Sequence, residues 1–403
     1  YHPLSAFLSS SLMDDMISFV VRISFVVAIS LMVSPTTAYS TWFIKTAPSL
    51  NPVESVFLLA TNVQTQLLPT MGMRQKFPRV LITGCTGFLG RQVTQEFLSR
   101  GYVVRGTTRS SKDHHQAILD DFSAGDALEL HTLDLTSDDG WSAAMQDIDA
   151  VIHTASPFSA YEPKDEMELI GPARDGTLRV LKKAYQSGIR KFVITSSTAA
   201  ISGATPTTKN QTYSEQDWTD LSRDVSAYTK SKTLAEKAAR EFASAHSDVV
   251  LTTVNPNVIF GPLHSGRSGT SLRIIESIVQ SSYPGFPKIS FAPVDVRDVA
   301  WMHAEALERD ELDGERLMMA STPITMPQIA RHLKSNGYKV RTMALPNIVV
   351  KAMAIFIKEA RLVTRGLGTT NHYDCSNTIN KTGWSSTSHE EMIVSAAKSL
   401  GFQ

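Results

Sequence analysis

Tyr228 and Lys232 stand four residues apart at the head of an alanine-rich run, Thr233 to Phe242, made of strong helix formers. Positions i and i+4 share one helix face, so a phenol and an ammonium point into the same cleft. An ammonium beside a phenol favours the phenolate and lowers the tyrosine pKa, leaving a group able to pass a proton near neutral pH. A Tyr-x-x-x-Lys pair by itself arises often by chance, and an ordinary surface pair is the competing reading. Its weight comes from what stands upstream.

Upstream, the apolar run Arg79 to Thr83 leads into Gly84-Cys85-Thr86-Gly87-Phe88-Leu89-Gly90, and an amphipathic run follows with Val93, Phe97 and Leu98 apolar. Strand, glycine turn and helix in that order make a phosphate cradle. Gly84 serves the tight turn, Gly87 lets the main chain approach a pyrophosphate, and Gly90 lets helix and strand pack closely. Thr86, Phe88 and Leu89 complete the loop, where the helix N-terminus offers unpaired N–H groups and a positive dipole end. The spacing is G-x-x-G-x-x-G, slightly longer than G-x-G-x-x-G. The next strand, Tyr102 to Arg109, ends in a base where an acid would bind a free ribose 2′-hydroxyl. Arg109, with Ser110 and Lys112 beside it, offers positive charge to a 2′-phosphate and predicts NADP(H) over NAD(H). The alternative for this segment is a solvated basic loop.

Further motifs follow in order: Asp134-Leu135, His153 to Phe158, Val193 to Thr198, Val254 to Pro262 and Val294 to Val299. With these the chain resembles the extended short-chain dehydrogenase/reductases, also known as the NAD-dependent epimerase/dehydratase superfamily. Within them it is similar to the dihydroflavonol reductase, cinnamoyl-CoA reductase and methylglyoxal reductase branch, from Pro78 to the C-terminus. The resemblance implies reduction of an aldehyde or ketone to the alcohol by NADPH. It implies that Ser197 polarises the carbonyl and Tyr228 protonates it, while Lys232 lowers the Tyr228 pKa and hydrogen-bonds the nicotinamide ribose. Asp134 and Leu135 would flank the adenine, Thr154, Ala155 and Ser156 would run along the cofactor, and Pro256 to Val258 would lie beside the nicotinamide. Ser196 is the rival to Ser197. Three other functions stay open: a sugar-nucleotide epimerase or dehydratase using NAD, a 3β-hydroxysteroid dehydrogenase-like enzyme, and a non-catalytic dinucleotide-sensing regulator. Arg109 counts against the first, and the presence of both Tyr228 and Lys232 against the last.

These residues need a scaffold that collects strand ends. From Arg79 the pattern alternates β and α through a sixth strand near Val249 to Val254, which predicts an α/β Rossmann-type doubly wound parallel sheet. The helix from Glu166 to Gln186 should turn Leu169, Val180, Leu181 and Ala184 inward. A smaller C-terminal α/β substrate lobe completes the expected fold. The division is 1–77 as an N-terminal extension, 78–262 as the dinucleotide-binding domain, and 263–403 as mainly the substrate lobe. Ser159 to Pro163 and Ser202 to Ser226 should join that lobe. Thr198 to Gly203 and Ile259 to Ser271 should line the pocket, with Arg267 the one candidate to meet an anionic substrate group. A small or medium neutral carbonyl compound fits better.

The chain has 403 residues, 42% of them hydrophobic and 19% charged, enough for a sizeable core. Its 39 basic and 39 acidic residues cancel, so no global field draws nucleic acid. The two cysteines lie far apart: Cys85 reads as a small buried filler, and no structural disulfide is expected. No Cys/His cluster has metal-ligand spacing, and His114-His115 reads as solvated. Residues 17–38 are mainly apolar, broken by Arg22 and preceded by Asp14 and Asp15, which suit a signal peptide poorly. They are either a targeting segment or anchor, or untranslated sequence upstream of an enzyme starting at Met71 or Met73. Residues 39–77 read as a polar linker. Membrane contact is expected only if 17–38 is an anchor. The catalytic domain is expected in the cytoplasm as a monomer or homodimer.

Overall fold

The computed structural model describes residues 78–156, 163–204, 210–266, 269–281, 284–356, 364 and 366–402. The apolar segment 17–38, the linker, residues 159–162, the loop 205–209 and Arg267 lie outside them. Seven strands form one open sheet: β1 Arg79–Thr83, β2 Val103–Thr108, β3 Leu128–Thr132, β4 Ala150–His153, β5 Lys191–Thr195, β6 Val250–Pro256 and β7 Arg316–Met319. Their spatial order is β7-β6-β5-β4-β1-β2-β3, and every pairing is parallel. The order reverses beside β1, where β2 lies on one flank and β4 on the other. Ligands in such sheets bind at this reversal, outside the carboxyl ends of the strands.

Both faces of the sheet are covered, as an all-parallel sheet requires. Successive side chains of β1 alternate: Val80 and Ile82 enter one core, Leu81 the other. On the first face lie α1 Phe88–Ser99, through Val93 and Phe97, and a helix over Val296–Glu308, through Val299, Ala300 and Met302. Between them in sequence come α2 His115–Phe122, α3 Met167–Gln186 and α4 Ala227–Ser244. On the second face α3 contributes Val180, Leu181 and Ala184, and α4 contributes Ala239 and Phe242. The inward positions expected of α3, Leu169 among them, are all buried.

The sheet draws on more of the chain than the sequence pattern suggested. β7 comes from beyond residue 263, inside the stretch read as mainly substrate lobe, and so does the Val296–Glu308 helix, α5. The reason is that Arg-Leu-Met-Met is short and buried at all four positions, so it carries no alternation to mark it as a strand. The rest of the C-terminal half has its own core: Phe260, Leu272, Ile275, Phe286, Ile329, Leu333, Met392 and Ile393 pack together. A separate parallel pair joins Asn210–Tyr213 to Thr370–Tyr373 beside the strand-end cleft. Among the described residues no helix is long and apolar enough to cross a membrane.

Candidate active site

A cleft of about 1630 Å³ runs along the carboxyl ends of the strands, from the glycine loop to the head of α4. At one end Gly84 has φ +68°, and a Cβ there would meet Ala155 at 3.0 Å. Gly90 is the stricter position, since a Cβ would fall 2.0 Å from the Gly84 carbonyl oxygen. Gly87 caps α1 in extended conformation with no side chain in the way, and its carbonyl accepts the first helical bond from Arg91 N at 2.8 Å. The next amides, of Phe88, Leu89 and Gly90, therefore have no partner inside the helix and line the cleft. The Gly84 amide donates to Thr107 Oγ1 at 3.2 Å, and the Thr86 and Thr108 hydroxyls meet at 3.3 Å, fixing the loop to β2.

Beyond β2, Arg109 is exposed at the cleft edge opposite Asp134 and Leu135. Hydrogen bonds from Thr136 hold the Asp134 carboxyl below its usual pKa, and Arg109 adds a smaller lowering. Lys112 is not brought in: it sits exposed on a 3₁₀ turn, Lys112–His114, and does not line the cleft. The turn Thr154, Ala155, Ser156 lines the floor, tied to β1 by Thr154 Oγ1 to the Thr83 carbonyl at 2.6 Å and by Ala155 N to Thr83 Oγ1 at 3.1 Å. Beneath it His153 lies between Thr83 and Thr177, and burial pushes its pKa down to about 3.

The other end of the cleft gathers Ser197, Tyr228 and Lys232. Ser226 caps α4 by accepting from Thr229 N, which sets the helix start so that Tyr228 and Lys232 both face the cleft. Ser197 follows β5, and its Oγ accepts from Ala199 N at 3.1 Å and lies 3.5 Å from the Pro256 carbonyl. Pro256 and Val258, from the end of β6, form the adjoining wall. Ser196 and Ser197 separate by direction: Ser196 donates to a buried carboxylate, Glu236, while Ser197 hydrogen-bonds Tyr228.

The electrostatics depart from expectation at one point. The Tyr228 pKa is raised above the ordinary tyrosine value, because burial outweighs the hydrogen bond from Ser197. The same burial drives Lys232 down from 10.5 to about 8, with Glu236 opposing. Desolvation of the phenol wins over its hydrogen bond, so Tyr228 is held protonated.

Asn257 falls inside the stretch Pro256 to Val258 expected beside the nicotinamide; its amide bridges to Thr198 Oγ1 at 2.9 Å, and it lines the cleft. Sequence reasoning missed two further contributors. Tyr373 lines the cleft too, its hydroxyl 2.8 Å from Ser202 Oγ. The long sequence separation of Tyr373 from the other motifs leaves no local signal. The other, Glu236, was visible in principle, as the next step of four along the Tyr228–Lys232 face. Both cysteines are buried free thiols, and burial pushes the Cys85 pKa up to about 12, as befits a filler.

A model of the NAD dependent epimerase/dehydratase family matches residues 80–318. An uncharacterized oxidoreductase of Schizosaccharomyces pombe is 30% identical over 313 residues, 73% of this chain and 93% of its own length. The NADPH-dependent methylglyoxal reductase of Saccharomyces cerevisiae is 31% identical over 274 residues, covering 62% of this chain and 80% of that protein. The crystal structure of yeast methylglyoxal/isovaleraldehyde reductase complexed with NADPH superposes with a TM-score of 0.67 at 25% identity, covering 80% of this chain and 98% of that one.

Proposed function

The chain belongs to the NAD dependent epimerase/dehydratase family, and from that premise we propose that it is an NADPH-dependent reductase of aldehydes or ketones. The observation that carries this reading is the convergence of Ser197, Tyr228 and Lys232 at the end of a cleft whose other end is the glycine cradle. The relatives named as NADPH-dependent methylglyoxal reductase and as its NADPH complex support the cofactor and the small carbonyl substrate. So do the residues: Gly84 and Gly90 allow a close packing of loop and helix that a Cβ would break, and Arg109 at the end of β2 suits a 2′-phosphate.

Bound NADPH supplies the hydride to the carbonyl carbon. Ser197 holds and polarises the carbonyl oxygen, and Tyr228, kept protonated by burial, donates its proton to that oxygen as charge develops there. Lys232 offsets the negative charge left on the Tyr228 oxygen. Tyr373, Ser202 and Asn257 line the substrate end with neutral polar groups. Monomer or homodimer, with the catalytic domain in the cytoplasm, completes the proposal.

The deciding experiment follows loss of reduced-nicotinamide absorbance against a panel of small aldehydes, ketones and sugar nucleotides. Turnover of neutral carbonyl compounds with NADPH is expected. Turnover confined to sugar nucleotides, or none of any kind, would remove the reading.

The Lys232 value has a kinetic consequence. kcat/KM for NADPH reports groups of the free enzyme. Lys232 is charged below about 8 and neutral above, so this parameter should be flat near neutrality and fall as pH rises through about 8. Lys232→Arg, which stays charged, should lose that alkaline limb. A wild-type profile that is level up to the Tyr228 range would contradict the argument.

A further inference from the structure

Glu236 is the third residue on the face that carries Tyr228 and Lys232, one further step of four along α4, and it is 2% exposed. Its carboxylate is surrounded by donors. Ser196 Oγ and Asn255 Nδ2 reach Oε2 at 2.5 and 2.8 Å. Arg316 Nε reaches Oε1 at 2.6 Å, and Arg240 Nε lies 3.3 Å from the same oxygen. The Asn255 amide nitrogen that grips Glu236 is also 3.4 Å from the carbonyl oxygen of Ser197. Arg316 is itself held by the carbonyls of Glu215 and Asp217 and lies over the Trp218 ring at 3.9 Å. One carboxylate thus ties together α4 and the carboxyl ends of β5 and β6, with β7 and the 215–218 loop attached through Arg316.

Stability alone is a poor reason for such a group. Burying an ion pair costs desolvation that well-packed apolar side chains avoid, so the pair returns little net stability. Its place supplies a different reason. Ser196 is covalently next to Ser197, Asn255 is next to Pro256, and Lys232 is one turn away on the same helix. We propose that Glu236 is a positioning residue: through Ser196, Asn255 and the shared face of α4 it sets Ser197 against Tyr228 and supports the charge on Lys232. The inference rests on the reductase reading for its kinetic part, and stands apart from it for the state of Lys232.

The groups facing this site fix the sign of its pH effect. On α4 they are Lys232 and Arg240, and on β7 Arg316. β5 and β6 contribute only the neutral Ser196, Thr253 and Asn255, and β4 contributes His153, kept neutral by burial. Glu236 raises the Lys232 pKa, so its loss lets Lys232 discharge at lower pH.

The test compares Glu236→Gln/Arg316→Gln, which removes both buried charges together, with Asn255→Ala, which leaves the ion pair and cuts the link to Ser197. In both, kcat should fall by about tenfold or more while the Kd for NADPH changes by less than about twofold, because small misplacements at the reacting groups cost rate more than binding. In the double variant the alkaline limb should also move to lower pH. The pH dependence of Lys232 acylation, read by mass spectrometry, should move the same way whatever the enzyme reduces. Folded variants with wild-type kcat and unmoved Lys232 titration would overturn the proposal. If the double variant fails to fold, Asn255→Ala at wild-type kcat overturns it alone. A wild type that reduces no carbonyl compound, yet whose Lys232 titration shifts in the double variant, would discard the reductase reading and keep the electrostatic role of Glu236.

Discussion

Replacing Tyr228 by phenylalanine is expected to lower kcat by at least about a hundredfold, the usual contribution of a positioned acid. The substitution removes one oxygen from a ring whose surroundings otherwise remain, so α4 and the Ser197 turn should keep their places. The loss should therefore fall on kcat, with the Kd for NADPH nearly unchanged, the pattern of an interaction made in the transition state. Ser197 then loses its partner and can still polarise the carbonyl, which leaves a residual rate above background. Because burial keeps the phenol protonated, the wild type should hold its acid form across the neutral range, and no acid limb below pH 7 should be assigned to Tyr228. Steady-state kinetics and a cofactor titration on the same preparation separate the two parameters. Turnover within a fewfold of wild type would mean that water or another side chain delivers the proton, and the assignment of Tyr228 would fall.

The parts of this site that were legible in the sequence are those whose chemistry is local. The glycine loop declares itself through turn, approach and packing within seven residues, and the steric limits at Gly84 and Gly90 are those the spacing implied. Tyr228 and Lys232 share a face because helical period is a local rule. The direction of the Tyr228 shift was not legible. A neighbouring ammonium is visible in sequence, but the desolvation that raises the Tyr228 pKa is a property of the assembled cleft. The resemblance already favoured Ser197 over Ser196, but a physical reason appeared only when the partner of each was in place. β7 and Tyr373 failed for a related reason: both reach the sheet or the cleft from far along the chain, and a short, wholly buried strand has no period to announce it. Lys112, close to Arg109 in sequence, sits exposed on a 3₁₀ turn outside the cleft lining, a placement set by the turn and not readable from the spacing.

Arg109 lines the cleft and Lys112 does not, so the second expectation is placed on Arg109. Arg109→Asp should shift the preference for NADPH over NADH by roughly a hundredfold. A charge-assisted hydrogen bond to a 2′-phosphate is worth about 1.5–3 kcal/mol, so its loss alone weakens NADPH by about tenfold or more. The new carboxylate adds repulsion toward the phosphate, reinforced by Asp134 across the same edge of the cleft. For NADH the sign reverses, since an acid at the end of the second strand accepts from the free 2′-hydroxyl. The glycine loop, which holds the pyrophosphate common to both cofactors, is untouched, so kcat should change little for whichever cofactor is bound. Arg109 is exposed in the free protein and its replacement should leave the fold unaltered, so the effect can be read as binding. The measurement is kcat/KM for each cofactor in wild type and variant, repeated at raised salt. The wild-type preference should narrow with salt, because the contact is ionic and partly solvated. A wild type that prefers NADH, or a ratio unchanged by the substitution, would mean that Arg109 faces solvent when cofactor binds. The epimerase-like alternative with NAD would then gain the support that Arg109 now withholds from it.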